Sequence, residues 1–508
     1  MRKLLIIITV LSTFHLPLST VEAQVNGIIV SDTGNITVVK VWGNHYERGF
    51  ATGYLLADRI QDLYENYIVP EFGSYLPIAK SIVSVNDHLF IDSIYRSEAL
   101  GMFDGITAAG ISMTGVDDLD ILVANTFLDL ENLSAKFPGV DMRNGCSSLI
   151  SWATATQSTG LNGNSILTRH LDWSYEMSLI RNQVMVVHFP TDPGEQPWLL
   201  IGFAGQMSVL SGLNDNGVGV MQHMMSDVNY SGSLNMGYEP VWLSMRRMLE
   251  NVDPNQDGNN DVQDVKFAMK VNSSGYADAY IITSVAPAAG MPDSTIALIA
   301  EVAPISPYLS FRDATYPDSV IGNNIYAANY AIVRNNAMHF CVRYDSVRYN
   351  MGTGTNIDAA DHWRIMSDYS SACALNGFGN IQFMQYIPEQ RILTIAVHQL
   401  NGDQACESDS MVFDLDDLFQ MPSVGLDEKI QQELHVYPNP ASDYIYCELP
   451  EYDVEGVFLY DLKSNQYPIR SFWLTDKGFR LDISYLAPGI YFLEVWGSQV
   501  YRTRFIKE

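Results

Sequence analysis

The chain has 508 residues, 47% of them hydrophobic, which is enough for two or three domains with ordinary cores. Its 58 acidic against 29 basic residues leave a formal net charge of -29, which excludes nucleic acid as a partner because phosphate binding needs a clustered basic surface. Five cysteines, sparse and odd in number, exclude a disulfide framework and leave at least one thiol unpaired, although Cys373 and Cys406 are a candidate pair.

Residues 1–23 read as a secretory signal peptide: Arg2-Lys3, an apolar stretch from Leu4 towards Phe14, then Val21-Glu22-Ala23 before Gln24. No later segment offers ~18 uninterrupted apolar residues, so no transmembrane anchor is expected. Residues 25–40 alternate as a strand. Tyr46 to Tyr67 carries apolar residues at helical spacing, with further helical patches to about residue 136.

From 146 the texture changes to short β-rich runs at 147–154, 165–173, 183–189, 198–203 and 218–224, separated by turn chemistry that suits hairpins. Pro240 to Val252 is an amphipathic helix with proline at its start, and 265–271 a shorter one. Strand texture returns at 279–284, 295–302, 325–333 and 391–399. Strand meanders with helices grouped between them predict an α+β layered domain rather than a doubly wound one.

Cys146 opens the first of these runs, in Asn144-Gly145-Cys146. A lone thiol is more often a buried hydrophobe than a nucleophile. The chain has no Gly-x-Ser-x-Gly elbow, no His-Glu-x-x-His and no phosphate loop to offer other chemistry. Gly145 permits strained backbone and leaves its carbonyl open to attack by the following sulfur. An N-to-S acyl shift and thioester hydrolysis would then free Cys146 as a new N-terminus. An α-amine has a pKa of about 7.7–8.0, near working pH, and can serve as general base for its own thiol. Across the Leu161-Asn162-Gly163-Asn164 turn, the run Thr168-Arg169-His170-Leu171-Asp172-Trp173 folds back beside the thiol end. Asp172 is placed to orient the α-ammonium, and Arg169 to favour the thiolate and contact a substrate oxygen; the plain alternative is a strand-end salt bridge between the two.

The segment DPNQDGNNDVQD places Asp253, Asn255, Asp257, Asp261 and Asp264 at positions 1, 3, 5, 9 and 12 of a loop, with Gly258 at position 6. Oxygen ligands at those offsets match the calcium loops of EF-hand, dockerin and thrombospondin type 3 repeats, so a structural calcium ion is expected there and no cofactor for catalysis. The alternative is a solvated acidic loop.

Residues 421–433 read as a linker, and 434–508 as a small β-sandwich with Pro-Asn-Pro and Pro-Gly turns. Its three motifs, VYPNPASDYIYCEL, LDISYLAPGIYFLEV and the terminal RFIKE, closely resemble in order the sorting domain of the type IX secretion system. The resemblance implies the type IX machinery as a partner and a secreted or outer-surface location, with no chemistry in the domain and Cys447 a buried strand residue.

GNHYERGFATG at 43–53, NGC, RHLDW one hairpin later and GLNDNGVGV at 212–220 together resemble the peptidase C45 group. That group includes the isopenicillin N acyltransferases and is related to choloylglycine hydrolase, penicillin V acylase and acid ceramidase. The resemblance implies a four-layer αββα N-terminal nucleophile hydrolase fold with Cys146 as nucleophile, exposed by cleavage after Gly145. Residues 24–145 would then be the small propeptide-derived chain and 146–420 the catalytic domain. Asn329 falls where these enzymes place an asparagine that donates to the developing oxyanion, and a turn hydrogen bond is its plainer role. Two departures stand out. Choloylglycine hydrolases carry a further asparagine where this chain has Met224 beside His223, and the family's late arginine has Arg364 as its candidate. The leading expectation is therefore a secreted amidohydrolase or acyltransferase that takes a small acyl-amide at its linear C–N bond through an acyl-thioester. The alternatives are a phospholipase B-like lipid ester hydrolase of the same fold and a non-enzymatic calcium-dependent surface binding protein.

Overall fold

The structure is a computed structural model and describes residues 25–131, 145–225, 236–269, 275–304, 306–316, 320–334, 342–375, 379–422 and most of 435–508. The expected signal peptide, the helical patch at 132–136, Cys341 and nearly all of the expected linker lie outside the described residues. The chain divides into two compact units, Met1–Met421 and Pro422–Glu508.

In the first unit, nine described strands form one sheet. They are β1 (Gly27–Thr33), β2 (Ile36–Gly43), β5 (Gln183–Pro190), β6 (Trp198–Phe203), β7 (Ser211–Asn214), β8 (Gly219–Met224), β9 (Tyr280–Val285), β10 (Ala297–Val302) and β11 (Leu309–Asp313), in that spatial order. The second sheet runs β12 (Asn324–Ala327), β3 (Ser147–Ser151), β4 (Ile166–Asp172), β13 (Asn380–Ile387), β14 (Ile392–Val397) and β15 (Met411–Asp414). Neighbours are antiparallel except β2 and β5, which run parallel. Residues 25–40 form a hairpin rather than a single strand, because Gly34 and Asn35 both take positive φ, 61° and 64°, as a two-residue type I′ turn requires.

The two sheets face each other across one apolar layer, with Val38, Val187, Leu199 and Ile281 from the first meeting Ile150, Leu167, Met384 and Ile395 from the second. The outer face of the first sheet is covered by helices that include α1 (His45–Leu55), α2 (Ala57–Leu63), α3 (Ser93–Ala108), α4 (Asp118–Asn125), α5 (Val241–Glu250) and α6 (Val262–Met269). The outer face of the second is covered by α7 (Val342–Asn350) and α8 (Ala359–Tyr369). This is the expected four-layer αββα arrangement.

The GNHYERGFATG motif is a packing device. Asn44 and Glu47 cap α1 reciprocally, side chain to backbone at 3.0 and 2.9 Å. Gly49 and Gly53 on α1 meet Gly101 and Gly105 on α3, and a Cβ at any of the four would collide with backbone of the facing helix. A helical glycine costs about 1 kcal/mol against alanine; here the close approach of two helix backbones requires it.

The second unit is a β-sandwich. His435–Tyr437, Tyr444–Glu448, Gly478–Asp482 and Phe472–Thr475 form one sheet, and Gln466–Tyr467, Gly456–Asp461, Gly489–Trp496 and Val500–Lys507 the other. Both contribute to one core containing Ile445, Leu459, Phe479, Leu493 and Phe505. Cys447 is buried in that core with its thiol pKa pushed up by burial, as expected of a packing residue.

Candidate active site

Cys146 sits at the entry to β3, buried at 2% exposure. The β3/β4 register sets Ser147 opposite His170 and Ser148 opposite Arg169, which brings the far end of RHLDW to the thiol. Arg169 Nη2 lies 3.8 Å from Cys146 Sγ and donates to the Gln222 carbonyl on β8 at 3.1 Å. The backbone N–H of Asp172 also points at the thiol. Burial pushes the Cys146 pKa up, Arg169 and Arg343 oppose that rise, and Asp172 adds to it; the net direction is upward. In the joined chain this thiol therefore stays protonated and needs a base.

Arg169 is fully buried, and its Nε and Nη1 have no hydrogen-bond partner. Burial lowers its pKa, and Asp172 and the Cys146 sulfur pull the other way. Unsatisfied guanidinium donors beside a thiol are costly to bury and point to a group that arrives later.

Asp172, 3% exposed, accepts from Asn380 Nδ2 on β13 at 2.7 Å. Its Oδ2 lies 3.1 Å from His170 Nδ1. On the other side of the cysteine, the Gly145 carbonyl oxygen accepts from Arg343 Nη1 on α7 at 2.9 Å. A Cβ on residue 145 would press on Asn329 Oδ1 and Arg343 Nη2, so any larger residue would displace those two side chains.

Asn329 lies beside Gly145, past the end of β12 rather than within a strand over 325–333. Its Oδ1 accepts from Arg343 Nη2, and its amide donates to the Met224 carbonyl at 2.6 Å. Contact with the carbonyl oxygen at residue 145 falls to Arg343. Arg364 stands elsewhere, exposed on α8 and paired with Asp361 at 3.0 Å. Arg343, Asn380 and Ser370, which are part of this surround, carry no motif in the sequence. Only the fold brings them in.

A partly open pocket lies beside the Leu171–Trp173 segment. Its wall is almost wholly apolar and aromatic, including Tyr64, Phe127, Phe203 and Trp242; two further wall residues, Leu171 and Trp173, flank Asp172 in the chain. Trp242 Nε1 donates to the side chain of Gln222 at 3.4 Å, the same residue whose carbonyl holds Arg169.

Of the calcium-loop candidates, Asp253, Asn255, Asp257 and Asp261 lie in the turn-rich segment between α5 and α6, and Asp264 in the first turn of α6. Gly258 takes φ 85°, and Asp253 accepts from the amides of Asp257 and Gly258 at 3.0 and 2.9 Å. Asp264 accepts from Asp261 N at 3.0 Å and Asn255 N at 3.3 Å. Asp261 accepts from Gln263 N at 2.7 Å. Among the described residues, a histidine-carboxylate group tight enough for a metal occurs instead at His45, Asp192 and Glu195. There Arg48, 2.9 Å from Glu195 and 3.5 Å from Asp192, already supplies the positive charge. Cys373 and Cys406 are joined by a disulfide, with Cα atoms 6.6 Å apart.

Residues 435–508 match the secretion system C-terminal sorting domain. That match supports export from the cell, and no helix among the described residues is long and apolar enough to cross a membrane. A curated relative, protein dcd1B of Dictyostelium discoideum, is 22% identical over 234 residues; the alignment covers 43% of this chain and 43% of that protein, less than half of each. Solved structures with some likeness include a Caenorhabditis elegans ortholog of N-acylethanolamine-hydrolyzing acid amidase, 11% identical with a TM-score of 0.33, covering 53% of this chain and all of that one. A conjugated bile acid hydrolase from Clostridium perfringens is 14% identical with a TM-score of 0.33, covering 53% of this chain and 93% of that one. The penicillin V acylase of Agrobacterium tumefaciens is 10% identical with a TM-score of 0.32, covering 53% and 86%. Likeness at this level carries no residue role across to this chain.

Proposed function

We propose that this protein is an exported cysteine amidohydrolase, or an acyltransferase where an amine replaces water, that matures by cleavage between Gly145 and Cys146 and acts on linear amides with an apolar acyl group. The observation that carries the reading is the pairing of a thiol with its own upstream carbonyl: Arg169 lies against Cys146 Sγ while Arg343 grips Gly145 O at 2.9 Å.

In maturation, Cys146 Sγ attacks the Gly145 carbonyl carbon, and Arg343 stabilises charge developing on the oxygen. The C–N bond breaks, the thiol proton passes to the departing amine, and a thioester remains. Water cleaves the thioester, leaving a carboxylate on Gly145 and a free amine and thiol on Cys146. In turnover that amine takes the thiol proton, the sulfur attacks the substrate amide, and the proton is returned to the leaving amine. Water or an acceptor amine then releases the acyl group. Asp172 holds the α-ammonium in place, and the unpartnered Arg169 donors meet a substrate oxygen. The apolar cavity takes the acyl chain.

The Asp253 to Asp264 loop is proposed to bind calcium for stability. Its donors, Asp253, Asn255, Asp257, Asp261 and Asp264, are all oxygen, as a hard cation requires, and the loop is closed by the positive-φ Gly258. Residues 1–23 are proposed to direct export ahead of the C-terminal sorting unit.

The decisive experiment is Cys146→Ala, read by intact-mass spectrometry and by release of acid from a chain-length series of N-acyl amino acids. An uncut, inactive precursor is expected, against a wild type in two chains with Cys146 first. Cleavage at the same bond in the alanine variant ends the reading.

A further inference from the structure

His170 has no part in the scheme above, yet it is fully buried and ringed by polar groups. Its side chain lies on the α7/α8 side of the second sheet, opposite Ser147. Its Nε2 is 2.5 Å from Ser147 Oγ and 3.0 Å from Ser370 Oγ. Those two hydroxyls contact each other, and Ser370 Oγ is 2.7 Å from the Tyr326 hydroxyl. At the other ring nitrogen, Nδ1 is 3.1 Å from Asp172 Oδ2, off the ideal hydrogen-bond line. Catalytic contacts are often loose in this way before substrate binds.

Serine, histidine and aspartate at these separations have the form of a nucleophile triad, but Ser147 is 0% exposed and lies against Ser370 and His170. Either oxygen can donate in the Tyr326–Ser370 and Ser370–Ser147 contacts, and the role of Nε2 follows from the tautomer of the ring. We infer that His170 is the positioning residue of this site: hydroxyls donating in turn from Tyr326 through Ser370 and Ser147 into Nε2 fix its Nδ1–H tautomer, and that N–H holds the Asp172 carboxylate turned towards Cys146. The inference rests on the reading of Cys146 as an amine-activated nucleophile. Burial lowers the His170 pKa, Asp172 opposes this, and Arg343 and Arg169 add to the lowering, so the ring is a neutral donor rather than a second charge. Asp172 thereby has two neutral groups, Asn380 and His170, at its oxygens to set its orientation.

Two amide substitutions separate this role from packing. In His170→Asn the side-chain NH2 falls near the position of Nδ1 and still reaches Asp172; in His170→Gln it falls near Nε2 and reaches the serines instead. Both are polar and both remove the ring. His170→Gln is expected to lower kcat about 10–100-fold with KM within about twofold, as second-layer partners of catalytic groups do. His170→Asn should recover most of kcat. The other charged or titratable groups facing the ring, Asp172 and Arg169 on β4, Arg343 on α7, His223 on β8 and Tyr326 on β12, are the same in both variants. Equal activity in the two overturns the inference while leaving Cys146 in place. Activity surviving in Cys146→Ala overturns the parent reading and this one together. Should neither variant fold, neutron diffraction from wild-type crystals reads the tautomer directly: a proton on Nδ1 upholds the inference, and one on Nε2 alone refutes it.

Discussion

Two of the places in the first unit that bury arginine treat it differently. Between α1, α3 and α5, Arg246 contacts Glu98 and Glu250 at 2.7 Å each, donates to the Met207 carbonyl at 2.7 Å, and lies over the rings of Tyr95 and Trp198. His45 bridges Glu98 and Glu195, and Arg48 meets Glu195. Each cation there touches an anion. At Cys146, Arg169 has one carbonyl, a protonated thiol and two unpartnered nitrogens. Buried charge paired with anions is structural, and buried charge left unpaired marks a candidate binding group.

The sharpest break of that comparison is to remove each guanidinium in turn. Arg169→Met is expected to lower kcat/KM about 10²–10³-fold, as loss of a preorganised donor does, with the melting temperature kept or raised. Arg246→Met should do the reverse. It strands Glu98 and Glu250 and is expected to cost about 3–5 kcal/mol of stability, with kcat per folded molecule retained. Denaturant unfolding and initial rates on the same preparations check both, and a destabilised Arg169→Met with normal rates would merge the two regions into one class.

The sequence shows the active-site side of this contrast better than the structural side. Cys146, Arg169 and Asp172 are legible because a single hairpin, Ser147 to Asp172, joins them through local register. Arg343 and Asn380 are about 200 residues further on and reach the site through α7 and β13, elements without clear periodicity or motif. Arg364 looks as suitable as Arg343 in the sequence, and only the packing of α7 and α8 tells them apart. The αββα layers follow from strand meanders and resemblance, and the short strands β7, β11 and β15 escape because four or five residues give too little alternation to read. The GNHYERGFATG motif shows the converse: its residues stand out in the sequence, and the structure gives them to helix packing and an ion cluster rather than to chemistry.

The paired cluster also has a pH signature. Burial alone lowers the His45 pKa, but hydrogen bonds to Glu195 and Glu98 outweigh it and raise the value to about 9, from an ordinary 6.5. A folded-state value above the unfolded one means the contribution is complete below pH 6.5 and is lost as pH rises towards 9. Over that window stability should fall by up to about 3 kcal/mol, and His45→Gln should flatten the slope. Urea titrations at pH 6, 7.5 and 9 measure it. A wild type with the same slope as the variant would mean that His45 is neutral in the cluster, and that its two carboxylates are held by the arginines alone.

The smallest expected effect belongs to a third kind of charge, the acidic loop between α5 and α6, where carboxylates cap their own backbone instead of pairing with cations. Binding of calcium there would couple to stability through mass action. With an affinity in the range of extracellular modules, 10 mM calcium is worth about 1–3 kcal/mol. For a unit of this size that is a rise of about 1–4 °C in melting temperature, reversed by a chelator. Asp257 is exposed and touches only loop atoms, so Asp257→Ala removes a ligand without disturbing either arginine cluster. The wild type should gain the shift with calcium and the variant should not. Magnesium is a weaker fit for a loop of this length, since it demands tighter octahedral geometry. An equal shift in both proteins would place the ion elsewhere, and no shift in either would leave the loop as a self-capped turn whose acidic residues serve α6 alone.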